Sequence, residues 1–384
     1  MIEVFDPIIG DEEIEAVVAA LQRGEISGSF GESIPRFEQE FAEYCGCRFG
    51  VAVSSGSTAL HLAVAAAGID AGDEVLISAS TNIATALAVV HNQATPVPVD
   101  SESITWNLNL DLIEDLITEK TKAIIPVHLY GHPVDMDRLM GIARRHNLLV
   151  IEDCAESHGA TCRGRMTGSF GDMACFSFYA NKVITTGEGG MVTTNNEQLA
   201  ERLRLLRNLA FTKPRFRHEE LGFNFRMTGY QAAMGIAQLA KIDHILAEKR
   251  RVAYTYNEFL RDVDGLQVPH EAEWARNVYW MYAVVVQPEF GMSRDDLMTF
   301  LRAADIDSRT FFCPMNQQPC LQSLPNFREV PCPVADRLWE NGLYLPSTYS
   351  LSEQVIKQIA DVVISASESQ PPRHRSTETV DEPH

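Results

Sequence analysis

The sequence predicts a large α/β domain on a mostly parallel sheet, followed by a smaller α+β domain. Two observations predict it. From about residue 49, short apolar runs alternate with longer amphipathic ones, the pattern of strands joined by helical crossovers. Past about residue 244 that alternation gives way to a long helical stretch and then a strand and helix of different spacing. The expected division is residues 1–244 for the large domain, its first 25 or so an arm, and 245–368 for the small one. Residues 369–384 carry no apolar pattern and read as a disordered tail.

The elements follow in order. FGVAVS (49–54) reads as a strand, STALHLAVAAAG (57–68) as a helix and DEVLIS (73–78) as the next strand. ATALAVVHN (84–92) is a helix, TPVPVD (95–100) a strand and LDLIEDLIT (110–118) a helix. KAIIPVHLYG (122–131) reads as a strand, MDRLMGIARRHN (136–147) as a helix and LLVIED (148–153) as a buried strand. MACFSFY (173–179) and GGMVTTN (189–195) add two strands, and EQLAERLRLLRNLA (197–210) a helix. One long helical stretch is expected over 228–262, then a strand at VYWMYAVVVQ (278–287) and a helix at RDDLMTFLRAADI (294–306).

Bulk properties exclude several classes. A chain of 384 residues exceeds a single small core. A formal net charge of −20 opposes nonspecific binding to nucleic acid or anionic lipid, so neither is expected as a partner. The N-terminus MIEVFDPIIGDEE has acids where a signal peptide is basic, and no apolar run is long enough to span a bilayer; the expectation is a cytoplasmic protein. The 8 cysteines show no paired metal-ligand spacing, and neither a disulfide scaffold nor a metal is expected.

Three stretches carry chemistry. In VSSGSTAL (53–60) a strand meets a helix at Gly56-Ser57-Thr58, which suits either an N-cap or a phosphate held by free amides. In LLVIEDCAESHGA (148–160), Asp153 ends a central strand, as a cap for the next segment or aimed at a ligand. In SFYANKVITTGEGGM (177–191), Lys182 follows an apolar run, where burial would favour its neutral, nucleophilic amine. The GEGG after it lacks the GxGxxG spacing and reads as a turn or hairpin. An anion cradle, a carboxylate and a lysine together are what pyridoxal phosphate requires. His128 and His158 read as packing residues rather than acids or bases.

At SSGSTALHLA, AGDEV, KAIIPVHLYG, VIEDCAE, GSFGDMACFSFYANKVITTGEGGMVTTN and LGFNFRMTGYQAAMG the chain resembles the DegT/StrS-type nucleotide-sugar aminotransferases, within them the GDP-perosamine synthases. The resemblance runs from about residue 25 to 365 and implies fold-type I and pyridoxal 5'-phosphate. By it, Lys182 matches the lysine that takes the cofactor's aldehyde and shuttles the proton, and Asp153 the partner of the ring nitrogen. Glu156 matches the residue near the 3-hydroxyl, and Gly56, Ser57 and Ser177 match the phosphate contacts. Asn224 matches a residue that reaches the neighbouring subunit's cofactor phosphate, which implies a homodimer with shared sites; Arg226 reads as structural.

The implied reaction moves an amino group from L-glutamate to a nucleotide-linked 4-keto-6-deoxy sugar, GDP-4-keto-6-deoxymannose first and a dTDP- or UDP-linked sugar as alternative. A cofactor-binding regulator without turnover is the other class. Relatives that dehydrate carry histidine where Lys182 stands, so that chemistry is disfavoured. Asn82 stands where the family usually has an aromatic over the cofactor ring, Ser57 replaces a threonine, and Cys313 and Asn316 replace histidines. Asn82, Cys313 and Asn316 are therefore the expected substrate-side residues.

Overall fold

The computed structural model describes residues 1–214 and 216–368, so the expected tail at 369–384 lies outside the described residues. Seven strands form the main sheet: β1 (Phe49–Val53), β2 (Glu74–Ser78), β3 (Thr95–Val99), β4 (Thr121–Ile125), β5 (Leu149–Asp153), β6 (Met173–Ser177) and β7 (Gly190–Thr194). Their order is β1-β7-β6-β5-β4-β2-β3. β7 runs antiparallel to both its neighbours and every other pairing is parallel. The carboxyl ends of β1, β2, β4, β5 and β6 therefore share one edge, where ligands of such sheets gather.

The sheet is apolar on both faces, as its near-continuous apolar runs require. Helices Gly56–Ala66 and Ala84–His91 cover one face around Val51, Val75, Ile77, Ile125 and Ile151. Leu76, Ile124 and Val150 face the helix Met136–His146 on the other. Among the described residues no helix is long and apolar enough to cross a membrane, and all eight cysteines are free thiols.

A second, antiparallel sheet orders Leu266–Gln267, Tyr282–Val286, Gly342–Leu345 and Arg309–Thr310. It packs with helices Ile242–Leu260, Arg294–Ala303 and Glu353–Glu368 around Tyr256, Tyr282, Val284, Leu297 and Ile359. The N-terminal arm joins this part of the chain: Ile2 N donates to Asp305 O at 2.7 Å, and Thr348 Oγ1 to Asp6 O at 3.0 Å.

Four elements differ from expectation. The strand expected over 122–131 stops at Ile125, because Pro126 has no N–H to continue the ladder. Residues 110–118 form only a 3₁₀ turn, Leu110–Leu112, and one α-turn, Ile113–Leu116, before Ile117 turns extended. The stretch 228–262 is two helices, Gly229–Leu239 and Ile242–Leu260. Between them the Lys241 ammonium, paired with Glu13 at 2.5 Å, ties the chain to helix Asp11–Gln22. The strand expected from 278 begins at Tyr282, since Tyr279 sits in the left-handed region (φ 50°).

Candidate active site

The sheet edge delivers the site in pieces. Where β1 ends, helix Gly56–Ala66 begins, and its N-cap is Ser55. Ser55 Oγ accepts from Thr58 N at 3.1 Å and Thr58 Oγ1 accepts from Ser55 N at 2.9 Å, a reciprocal cap. The sequence left a cap or a phosphate site open, and the structure accommodates both. The cap uses Ser55 and Thr58, while the amides of Gly56 and Ser57 keep no partner among the described residues and Ser57 is exposed. A Cβ on Gly56 would stand 2.6 Å from Ser177 Cβ, so only glycine lets the helix start approach β6 this closely.

Asp153 closes β5 and is 4% exposed. Its Oδ2 accepts from Thr85 Oγ1 at 2.8 Å and its Oδ1 from Ala155 N at 3.1 Å. Burial raises its pKa, against the lowering effect of those two donors and of Lys182. Glu156 follows in the next turn and accepts from Tyr130 N at 2.7 Å; burial raises its pKa as well, and the Lys182 charge opposes the shift.

Lys182 is half-buried in the turn after β6, its amide donating to Tyr179 O at 2.9 Å. Its Nζ lies 3.8 Å from the centroid of the Trp280 ring. Burial lowers its pKa and favours the neutral amine, with Glu156 and Asp153 pulling the other way.

A cavity of about 360 Å³ unites these groups. Gly56, Ser57, Asn82, Asp153, Glu156, Ser177 and Lys182 all line it. Asn224, Cys313 and Asn316 do not. Asn224 is exposed, on a segment that bridges Asn208, and Arg226 Nη1 donates to Asn208 Oδ1 at 2.8 Å. Asn316 Nδ2 is engaged by Asp336 Oδ1 at 2.9 Å. Cys313 neighbours Phe312, which does reach the cavity. Asn82 Oδ1 turns back to accept from Ala84 N at 3.0 Å, capping its own turn.

Other residues of the site escaped the sequence reading, one of them behind Asp153 and the rest in the cavity lining. Thr85 meets Asp153 from 68 residues away, a contact no local pattern reveals. Trp280, Phe312 and Tyr344 arrive from the C-terminal part of the chain. Trp280 lay inside VYWMYAVVVQ, where its aromatic and apolar neighbours announced only a strand.

The two histidines are packing residues. His128 Nδ1 accepts from Val134 N at 3.0 Å, which leaves Nε2 to donate to Glu152 at 3.2 Å. Glu152 also accepts from the amides of Gly168, Phe170 and Gly171. His128, Glu152 and Cys154 bring ligand atoms within 4.8 Å of one another, but the carboxylate is already saturated by these donors. His158 is fully buried among Phe41, Phe176 and Phe178.

The arrangement fits pyridoxal phosphate on its own observations: a helix start opened by a required glycine, a buried carboxylate with room for a cationic partner, and an amine whose neutral form is favoured.

Comparison with known proteins agrees. The family described as DegT/DnrJ/EryC1/StrS aminotransferase matches residues 7–364. A GDP-perosamine synthase of Caulobacter vibrioides is 44% identical over 360 residues, 93% of this chain and 96% of its own. One from Escherichia coli O157:H7 is 40% identical over 357 residues, 92% of this chain and 96% of its own. Among solved structures, S. venezuelae DesV in complex with a ketimine intermediate gives a TM-score of 0.87 at 36% identity, covering 94% of this chain and 95% of that one. A putative sugar aminotransferase from Streptococcus pneumoniae in its PLP-form gives 0.88 at 27% identity, covering 95% and 98%.

Proposed function

Because the chain belongs to the DegT/DnrJ/EryC1/StrS aminotransferase family, we propose that it aminates the 4-keto carbon of a nucleotide-linked 4-keto-6-deoxy sugar, with L-glutamate as donor. The acceptor of first choice is GDP-4-keto-6-deoxymannose and the product GDP-perosamine, the name carried by relatives 44% and 40% identical. The chain is a pyridoxal-phosphate-dependent sugar aminotransferase of fold-type I. The observation that carries the reading is the convergence of Lys182, Asp153 and the open start of helix Gly56–Ala66 on one cavity.

When bound, the cofactor supplies an aldehyde to carry nitrogen and a ring that takes up the electron pair left at a substrate carbon. The protein's residues do the rest. Lys182, its pKa lowered by burial, would hold the aldehyde and later move a proton at its Nζ. Asp153, kept in place by Thr85 and Ala155, would hold the proton on the ring nitrogen. Glu156, fixed by the Tyr130 amide, would hydrogen-bond near the 3-hydroxyl. Gly56 and Ser57 offer amides, and Ser177 its hydroxyl, to the phosphate.

We also propose a homodimer with shared sites. Asn224 is exposed and does not line its own cavity, and Ile14, Val18 and Leu21 make an exposed apolar stripe on helix Asp11–Gln22, with Ile26 and Phe30 exposed beyond it. A division at residues 244/245 into cofactor-binding and small domains and a cytoplasmic location complete the reading. Neither nucleic acid nor a membrane is part of it.

The test is a panel of GDP-, dTDP- and UDP-linked 4-keto sugars with glutamate, products read by mass. Amine on the GDP-linked sugar supports the first choice; amine on another moves the substrate to the alternative. No product from any of them favours a cofactor-binding regulator.

A further inference from the structure

Behind the amine of Lys182 stands an assembly that the proposed reaction leaves unused. The indole of Trp280 presents its face to Lys182 Nζ at 3.8 Å. Trp280 is itself pinned at three polar atoms. Its amide donates to Tyr130 O at 2.9 Å, its Nε1 donates to Asn181 O at 2.7 Å, and its carbonyl accepts from Lys249 Nζ at 2.7 Å.

Lys249 is 6% exposed, and its second bond goes to Ser347 O at 2.6 Å. Among the described residues its hydrogen-bond partners are two backbone carbonyls and no carboxylate. Burial alone brings its pKa down to about 7. A lysine stripped of water without a counter-ion is costly to keep for packing alone, where a methionine would serve. Lys182, Trp280 and Lys249 border one cavity of about 20 Å³, room for about one water and not for a side chain to swing into.

We propose that Trp280 is a positioning residue that holds the free amine of Lys182 on its π face, and that Lys249 fixes Trp280 there through the 280 carbonyl. An ammonium over a desolvated indole is held by the ring quadrupole, and a neutral amine by dispersion. Lys182 would thus have a defined resting place whenever it is not bonded to the cofactor. The functional part of the proposal rests on the role given above to Lys182; the geometric part does not.

The test uses full-length protein freed of cofactor, reacted with trinitrobenzenesulfonate, with labelled peptides quantified by mass. Surface Lys357 serves as the reference amine. Trp280→Leu removes both cover and quadrupole, and labelling of Lys182 should accelerate about tenfold. Trp280→Phe keeps a π face and should stay within about threefold of wild type. Lys249→Met, which removes the bond to the 280 carbonyl and no hydrogen bond to Lys182, should accelerate it by an intermediate factor. Unchanged or slower labelling in Trp280→Leu overturns the proposal, as does wild-type labelling in a folded Lys249→Met.

In the loaded enzyme Trp280→Leu should lower kcat about tenfold while KM for the amino donor stays within about twofold, with Trp280→Phe recovering most of the loss. A raised KM at unchanged kcat would make Trp280 a substrate contact instead. The labelling arm needs no turnover, so its failure is separable from failure of the aminotransferase reading.

Discussion

Thr85 Oγ1 donates to Asp153 Oδ2 across 2.8 Å, joining the first turn of one crossover helix to the end of the central strand. Both side chains are buried, and Thr85 Oγ1 also lies 3.3 Å from Thr81 Oγ1. A hydrogen bond to a charged group contributes about 1.5–3 kcal/mol. Thr85→Val should therefore lower kcat about tenfold or more, and Thr85→Ser should recover it. Asp153→Asn should retain cofactor yet lose about 10²–10³ in kcat, the cost of removing one preorganised electrostatic partner. Steady-state kinetics on the three variants, with cofactor content by absorbance, checks both; wild-type rates in Asp153→Asn would remove that residue from the mechanism.

Gly56→Ala should weaken cofactor binding about tenfold or more, because the new Cβ meets Ser177 Cβ at 2.6 Å and one phosphate contact must move. Overpacking of this kind costs about 1–3 kcal/mol. Gly141→Ala is the control: its Cβ would find nothing nearer than 3.8 Å, and in helix Met136–His146 alanine should raise stability by up to about 1 kcal/mol. Cofactor titration and thermal melts separate the two effects.

His158 predicts an acid-side loss of stability. Neither ring nitrogen has a hydrogen-bond partner among the described residues. Burial first, and the Lys182 charge second, bring its pKa from 6.5 to about 3. As pH falls the unfolded chain takes up the proton first. The contribution is complete above 6.5 and declines as pH drops from 6.5 toward 3, by about 2 kcal/mol at pH 5. His158→Leu should flatten that slope. Urea melts at pH 7.5 and pH 5 test it, and an equal slope in the variant would clear His158.

Asn224 gives the shared site a complementation test. Asn224→Ala and Lys182→Ala should each be inactive or nearly so alone. In a mixed dimer the site with an intact Lys182 would receive Asn224 from its partner, and activity should return. No return on mixing would place Asn224 outside the neighbouring site.

The alternating runs from 49 to 194 made the main sheet readable, since strands buried on both faces have little freedom of composition. Gly56, Ser57, Asp153 and Lys182 drew attention because each stands beside a strand end, and Glu156 through the family resemblance; the structure brings all five to one cavity. Thr85 and Trp280 were not, because their partners lie 68 and 98 positions away and their own neighbours signal only helix and strand. The residues 110–118 misled for a different reason: the apolar spacing is helical, but the chain must reach Thr121 in time to start β4.

The most direct measurement is borohydride reduction of the cofactor-loaded protein, followed by proteolysis and peptide mapping by mass. The account predicts one phosphopyridoxyl group, on the peptide carrying Lys182. A label on any other lysine, or none, would contradict it.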